Sequence, residues 1–183
     1  MLATFEEDMC YERRPGQGES AIAGCTKKSL LSGGESCAFV VQTSLMAYPA
    51  ADIAIHNGGG CGTDILEGTF SYDAAAAMIP FDNTLMSIAL TGSQIKAVLE
   101  DAISAGDETS GGYPYAAGLR FDVDMSAAIG SRVSNVMVNK KLASRRFAPL
   151  SMTKTCATGP TVSLSTTPSF PRQFLPQHVP LLT

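Results

Sequence analysis

The feature that most limits how this chain can fold is a short apolar run, residues 51–55, that leads into Asn57 and three consecutive glycines, Gly58, Gly59 and Gly60. The run is typical of a buried strand, and glycines permit positive φ angles and close backbone approach. The strand must therefore end in a sharp corner. Neither G-x-G-x-x-G nor G-x-x-x-x-G-K-[ST] is present, so a standard phosphate loop is not indicated. From these residues alone, the corner is either a tight turn or a place where a ligand is gripped.

The segments around this corner alternate between helix and strand patterns. We expect a helix within 37–47, a short helix at 71–78 stopped by Pro80, and strands at 85–90, 119–125 and 133–139. Thr91 and Gln94 are spaced for a capping box, and an apolar stripe follows them, which predicts a helix up to Gly106. Together these patterns predict an α/β or α+β fold, a layered sandwich of mixed sheets with flanking helices.

The chain divides into three parts by composition. Residues 1–35 are predicted to be a connector, 36–146 the folded domain, and 147–183 a disordered tail. Six of the ten prolines lie from Pro149 onward, among many serines and threonines. All 17 acidic residues lie at or before Asp124, whereas seven Lys or Arg residues follow it. These basic residues are scattered without interleaved aromatics, so we do not expect nucleic-acid binding.

Bulk composition excludes several classes. Hydrophobic residues make up 45% of the 183 residues, enough for one domain with a real core. No apolar run approaches the roughly 18 residues of a membrane span. The acidic N-terminus does not have the profile of a signal peptide, so no signal peptide is expected within this chain.

Cysteine and histidine spacing predicts no metal site. The five cysteines form no C-x-x-C pair, and the two histidines, His56 and His178, are far apart. Cys10 and Cys25 bracket one loop, and a bridge closing it would contribute roughly 3 kcal/mol by chain entropy. The alternative, that these cysteines are free thiols, is equally compatible with the sequence. His56 adjoins the glycines and could act as a general base, but nothing supplies a partner to orient it.

Two further features have both a structural and a functional interpretation. Phe81 follows Pro80, whose fixed φ suits a turn that presents the ring outward, although phenylalanine more often lies in a core. Asp122 and Asp124 share one face of a predicted strand. A solvated strand face explains them, and we assign them no catalytic role; no catalytic residue is predicted anywhere in the chain.

Across about residues 5–150, the chain resembles the C-terminal domain of the 5′-nucleotidase family, which includes bacterial UDP-sugar hydrolases and NAD nucleotidases. The resemblance is carried by YERRPGQGES, ADIAIHNGGGCGTDI, GTFSYDAAAAMIPFDNTL, LTGSQIKAVLEDAI, SGGYPYAAGLRFDVD and RVSNVMVN. It implies a nucleoside-gripping domain that works with an N-terminal metallophosphoesterase domain holding two divalent metals. The substrate-binding residues that it implies are Asn57, Gly58, Gly59, Gly60, Phe81, Asn83 and Gly111, with Phe81 as one of two aromatics that sandwich the base.

The sequence departs from the family pattern in three places. The family's arginine after the glycines is Gly62 here. The family's N-[FY]-[LI]-A-x-G-G-D-G motif, which carries the second aromatic, has no match after residue 150, and the tail looks like the product of a reading-frame slip. No D-x-H, G-N-H-[DE] or G-H-x-H metal motif occurs.

The resemblance therefore implies the nucleotide-recognition part of a 5′-nucleotidase-type phosphohydrolase of nucleotide catabolism, truncated and inactive alone. The cofactors, two metals, would belong to the missing metallophosphoesterase domain. The expected partners are a nucleoside or nucleotide and that domain, in the periplasm or at the cell surface. The alternatives are a stand-alone nucleoside-binding or interaction module, or an inactive fragment.

Overall fold

A computed structural model describes residues 1–25, 33–104 and 111–139 in full, and the backbone of residues 147–149 and 161–165. The helices within these residues are α1 (Glu35–Ala47), α2 (Tyr72–Met78) and α3 (Gly92–Ser104). The strands are β1 (Ala3–Phe5), β2 (Ile53–Asn57), β3 (Gly68–Phe70), β4 (Leu85–Ala89), β5 (Pro114–Ala117), β6 (Leu119–Val123), β7 (Val133–Asn139), β8 (Phe147–Pro149) and β9 (Thr161–Ser165).

The main sheet is mixed, in the order β4-β9-β2-β5. Strand β2 runs antiparallel to β5 and parallel to β9, and β9 runs antiparallel to β4. The two smaller sheets are antiparallel: β1 pairs with β3, and β6, β7 and β8 form a meander. The predicted mixture of sheets with flanking helices is confirmed.

Strand β2 lies between two hydrophobic layers. Its Ala54 packs into a core with Val41 of α1, while Ile53 and Ile55 pack on the other face with Leu99 of α3. Because successive strand side chains point to opposite faces, an all-buried strand needs cover on both sides. The helices α1 and α3 supply that cover, which gives the predicted layered sandwich.

The capping box predicted before α3 is present. The Thr91 amide donates to Gln94 Oε1 at 2.8 Å, and the Gln94 amide donates to Thr91 Oγ1 at 3.3 Å. Farther along the helix, the buried Glu100 carboxylate accepts from the amides of Arg132 and Val133 at 2.9 and 2.8 Å. The carboxylate thereby ties α3 to the start of β7.

Two predicted strand boundaries are shifted. Strand β2 begins two residues later than predicted, at Ile53, because the Ala51 amide donates to the Tyr48 carbonyl in a turn. The strand also ends two residues later than predicted, at Asn57. The 119–125 strand ends at Val123, where Asp124 Oδ1 accepts from the Ser126 amide at 2.9 Å and turns the chain.

The N-terminal segment, predicted to be a connector, contributes to the fold. Strand β1 pairs with β3, and Tyr11 is buried against the α1 core. The fully buried Glu12 carboxylate accepts from the amides of Gln17 and Glu19 at 2.7 and 2.6 Å, which folds the 12–19 loop around it. The domain boundary at residue 35 stays a prediction.

Two strands lie in the segment where the sequence predicts no regular structure. Strand β8 extends the β6–β7 meander, and β9 occupies an inner position of the main sheet. The sequence Thr-Val-Ser-Leu-Ser of β9 does alternate between polar and apolar residues. The alternation spans only five residues, and the Ser/Thr-rich composition of the surrounding tail predicted disorder instead. The other tail residues lie outside the described part of the chain.

Candidate functional site

The glycine corner, residues 57–60, forms where β2 ends. Asn57 closes the strand opposite Pro114, and Gly58–Gly60 make one turn of 3-10 helix. Asn57, Gly58 and Gly60 are buried, whereas Gly59 is partly exposed. The rigid end of a sheet thus presents a single accessible backbone unit.

Gly111, which the family resemblance implies for the same site, lies directly against this corner. The Gly59 amide donates to the Gly111 carbonyl at 2.8 Å, and Asn57 Nδ2 donates to the same oxygen at 3.2 Å. A Cβ on Gly59 would lie 2.6 Å from Gly111 Cα, and one on Gly111 would lie 2.5 Å from Gly59 Cα. Only glycine fits at either position.

The loop with the sequence ERRPG, residues 12–16, packs against the glycine corner. A Cβ on Gly58 would collide with the Arg13 carbonyl oxygen. The Tyr115 hydroxyl donates to the Glu12 carbonyl at 2.6 Å and accepts from the Gly34 amide at 2.9 Å. Burial raises the pKa of Tyr115, so the phenol remains protonated and keeps donating. These contacts connect the corner to the N-terminal segment.

Two disulfides lie within the described residues. One joins Cys10 to Cys25, the pair singled out from the sequence. The other joins Cys37 to Cys61, and both of these cysteines are buried, at 0% and 2% exposure. The second bridge fastens α1 to the residue that follows the corner. Sequence reasoning missed it because the 24-residue separation carries no motif.

The loop that bears Phe81 is attached to the segment that follows the glycine corner. The Ser71 hydroxyl caps α2 by accepting from the Ala74 amide at 3.2 Å, and α2 ends at Met78. The Gly62 amide donates to the Met78 carbonyl at 2.7 Å. Phe81 follows Pro80 and is 43% exposed, so the ring is not enclosed in the core.

Gly62 itself is explained by this attachment. A Cβ there would collide with the Ala77 carbonyl and lie 3.2 Å from Pro80 Cδ. A glycine at this position therefore lets the end of α2 approach the segment after the corner.

Asn83 faces a different direction from Phe81. Its amide donates to the Phe81 carbonyl at 2.9 Å in a tight turn, and its side chain enters the protein. Both polar atoms of that side chain are buried, and neither has a hydrogen-bond partner among the described residues.

Asn83 and His56 line one cavity of about 300 Å³ that opens widely to the surface, here called the inner cavity. It lies between α1, the end of β2 and the loop from Ile79 to Leu85. Its lining residues are Val40, Thr43, Ser44, Ala47, His56, Ile79, Asn83, Thr84 and Leu85. Of the predicted site residues, only Asn83 lines this cavity; the corner residues and Gly111 form the neighbouring cluster.

His56 is the second polar residue of the cavity, and sequence reasoning considered it only as a possible general base. It is 2% exposed, and within the described part of the chain its ring has at most a weak hydrogen bond, with the Gly60 backbone. Burial lowers the pKa of His56, and the Gly60 backbone opposes this shift only in part. The imidazole is therefore uncharged at neutral pH. A lone buried histidine beside three glycines was the available signal.

The described residues offer neither a cluster of metal ligands nor a membrane-spanning helix. Within 1–25, 33–104 and 111–139, no group of three or more His, Cys, Asp or Glu side chains could hold a metal ion. The helices of the described residues lack the combined length and apolar character needed to cross a bilayer.

Sequence comparison matches residues 15–156 to the 5′-nucleotidase C-terminal domain family. The NAD 5′-nucleotidase of Haemophilus influenzae is 36% identical over 106 residues, which cover 56% of this chain and 18% of that protein. A probable 5′-nucleotidase of Treponema pallidum is 32% identical over 117 residues, covering 60% and 20%. The chain thus spans about a fifth of each relative's length.

Solved structures show the same fold. The NAD nucleotidase of H. influenzae superimposes with a TM-score of 0.70 at 24% identity, covering 90% of this chain and 28% of that one. A 5′-nucleotidase precursor from Thermus thermophilus gives a TM-score of 0.67 at 24% identity, covering 90% and 29%. With the family match spanning most of the described domain, the chain belongs to the 5′-nucleotidase C-terminal domain family.

Proposed function

We propose that this chain is the nucleoside-recognition domain of a 5′-nucleotidase-type phosphohydrolase that acts in nucleotide catabolism. The observation that carries the proposal is the Gly62–Met78 hydrogen bond, because it fastens the Phe81 loop to the segment leaving the glycine corner. An accessible backbone unit and an exposed aromatic ring are thereby attached to one rigid framework.

Each part has a distinct role in the proposal. Phe81 stacks on one face of the base, an interaction worth about 1–3 kcal/mol per base. The edge formed by Gly59 and Gly111 meets the ligand with backbone groups only, since no side chain fits there. Asn57, whose amide already holds the Gly111 carbonyl, fixes that edge in place.

The phosphate chemistry is assigned to a metallophosphoesterase domain outside residues 1–183. The described residues do not offer the ligand cluster that a two-metal centre requires. We therefore derive no metal-dependent step for this chain. Incubation of the purified chain with AMP and Mn²⁺ or Zn²⁺ is expected to release no phosphate, and clear turnover would overturn this assignment.

A periplasmic or cell-surface location is part of the proposal. The disulfides Cys10–Cys25 and Cys37–Cys61 support it, because such bridges persist in oxidising compartments. The names of the relatives, 5′-nucleotidase and NAD 5′-nucleotidase, support the nucleotide as ligand.

Calorimetric titration with adenosine tests the recognition role. The intact chain is expected to bind saturably, and Phe81→Ala to weaken binding on the order of 5- to 150-fold, the equivalent of one stacking face. Tyr72→Ala is the matched control, since Tyr72 is an exposed aromatic, at 74%, at the opposite end of α2.

The titration also separates the inactive fragment from the other two hypotheses. A stand-alone binding module would bind adenosine just as well, and it would be recognised by its association with a separately encoded phosphoesterase. Absence of binding at millimolar adenosine, with a folded protein, would indicate an inactive fragment and contradict the proposal.

A further inference from the structure

The open side of the inner cavity presents apolar side chains without charge. Ile79 and Leu85 line the cavity and are 37% and 45% exposed, so two large aliphatic groups are left in water. None of the described side chains that line it carries a carboxylate, an ammonium or a guanidinium group. The hydroxyls of Thr43 and Ser44 already donate to the Val40 carbonyl, at 2.8 and 2.9 Å. This wall therefore favours an apolar occupant over a charged one.

Strand β9 ends beside this cavity. Its last residue, Ser165, pairs with Leu85 of β4 on one side and with His56 of β2 on the other. Both of these partners line the cavity, and neighbouring strands lie only about 5 Å apart. Because β9 runs parallel to β2, it leaves the sheet at the end where β2 reaches the glycine corner. The chain beyond Ser165 consequently starts at the rim of the cavity.

The sequence that follows Ser165 brings a bulky apolar side chain within reach. Residues 166–171 read TTPSFP, carry no charge, and contain Phe170 as the first large apolar residue after β9. Five residues of extended chain span up to about 18 Å, several times the spacing of paired strands. Pro168 and Pro171 flank Phe170, and their fixed φ angles reduce the entropy that this segment loses when it is ordered.

We propose that the side chain of Phe170 docks in the inner cavity and covers Ile79 and Leu85, so that the occupant of the cavity is a segment of the same molecule. The cavity, at about 300 Å³, is large enough for a phenyl ring. A linker of a few residues gives an effective concentration on the order of millimolar, so a modest apolar contact suffices. The inference goes beyond the proposed function, because it concerns a contact within the chain that needs no nucleoside.

Nuclear Overhauser effects (NOEs) in the full-length chain test the contact directly. The ring protons of Phe170 are expected to show NOEs to the methyl groups of Ile79 and Leu85, with intensities that do not change on dilution. Phe170→Ser should remove these NOEs. Phe174→Ser, the same change farther along the same tail, should leave them unaltered. NOEs that fade on dilution would assign the contact to a second copy and overturn the inference.

The rate of thiol alkylation measures how far the cavity is covered. Ala47 is an exposed residue of α1 that lines the cavity, so Ala47→Cys places a thiol there; Cys156→Ser removes the cysteine outside the two disulfides. With Phe170 present, iodoacetamide is expected to react about tenfold more slowly than after Phe170→Ser, the smallest factor expected for burial of a phenylalanine.

Gln42→Cys is the matched control for the alkylation. Gln42 is exposed on the same helix but is not among the lining residues, so its rate should not depend on Phe170. Equal rates for Ala47→Cys with and without Phe170, or the lack of the NOEs in the folded wild-type chain, would overturn the inference. So would a rate that responds to Phe174→Ser instead. The wild-type NOEs require no variant, so the test does not depend on how a substitution folds.

Discussion

The glycine corner and the inner cavity adjoin each other, yet they are built in opposite ways. In the corner, the amides of Gly58, Gly59 and Cys61 donate backbone hydrogen bonds of 2.8, 2.8 and 3.2 Å. In the cavity, neither polar atom of the Asn83 side chain has a partner within the described residues, and the His56 ring has at most a weak hydrogen bond with the Gly60 backbone. The corner is completed when the chain folds, whereas the cavity wall is left with capacity for hydrogen bonds.

The largest effect that would separate the two regions is expected from removing the Cys37–Cys61 disulfide. Replacing both cysteines with alanine opens a loop with a sequence separation of 24 residues, which costs about 3 kcal/mol in unfolding free energy by loop entropy. Urea denaturation measures this loss. Because the bridge fastens the corner, we also expect weaker adenosine binding in the folded variant.

The Cys10–Cys25 bridge is the matched control. It closes a loop with a separation of 15 residues, so its removal should cost a similar free energy of unfolding. Both its cysteines are only partly buried and neither adjoins the corner. Adenosine affinity should therefore survive. Equal losses of affinity in the two double variants would show that the Cys37–Cys61 bridge has no particular role at the corner.

Local sequence signals predicted the elements that depend on local physics. The capping box of Thr91 and Gln94 fixed the start of α3, and the apolar run before Asn57 located β2 to within two residues. These signals act between near neighbours, so a single sequence contains them. The family motifs added Asn57, Gly59 and Gly111, and the structure brings these three into contact.

The features that the sequence did not reveal depend on contacts between distant segments. The bridge between Cys37 and Cys61 forms because α1 packs beside the end of β2. Strand β9 adopts its place by pairing with β2 and β4, which composition cannot indicate. The sequence places His56 close to the glycines, but only the fold shows that its ring is buried and shares a cavity with Asn83.

A smaller effect is expected from Gly59→Ala, which tests whether the corner depends on contact between Gly59 and Gly111. The new methyl group would lie 2.6 Å from Gly111 Cα, and backbone atoms must shift to admit it. We expect a loss of about 1–3 kcal/mol in unfolding free energy, typical of overpacking. Urea denaturation is again the measurement.

Gly24→Ala provides the comparison for that substitution. A Cβ on Gly24 would have nothing within 4 Å, so only the smaller entropy of the unfolded chain changes. Its unfolding free energy should stay within about 0.5 kcal/mol of the wild type. A similar value for Gly59→Ala would mean that the corner yields easily, and that the contrast with the cavity is weaker than the geometry indicates.

The smallest effect concerns pH, and it tests the cavity side of the comparison. Burial lowers the pKa of His56 from its ordinary value of 6.5. As the pH falls below about 6.5, His56 takes up a proton in the unfolded chain but stays neutral in the folded protein. The free energy of unfolding therefore decreases. Above that pH both states are neutral and the contribution vanishes.

Urea denaturation between pH 7.5 and 5.5 should show this decrease in the wild type and a flatter profile in His56→Leu. His178→Gln, which removes the only other histidine, should retain the wild-type profile. Parallel profiles for wild type and His56→Leu would instead mean that water or a polar group accommodates the charged imidazole, and that burial does not keep the ring neutral in the folded protein.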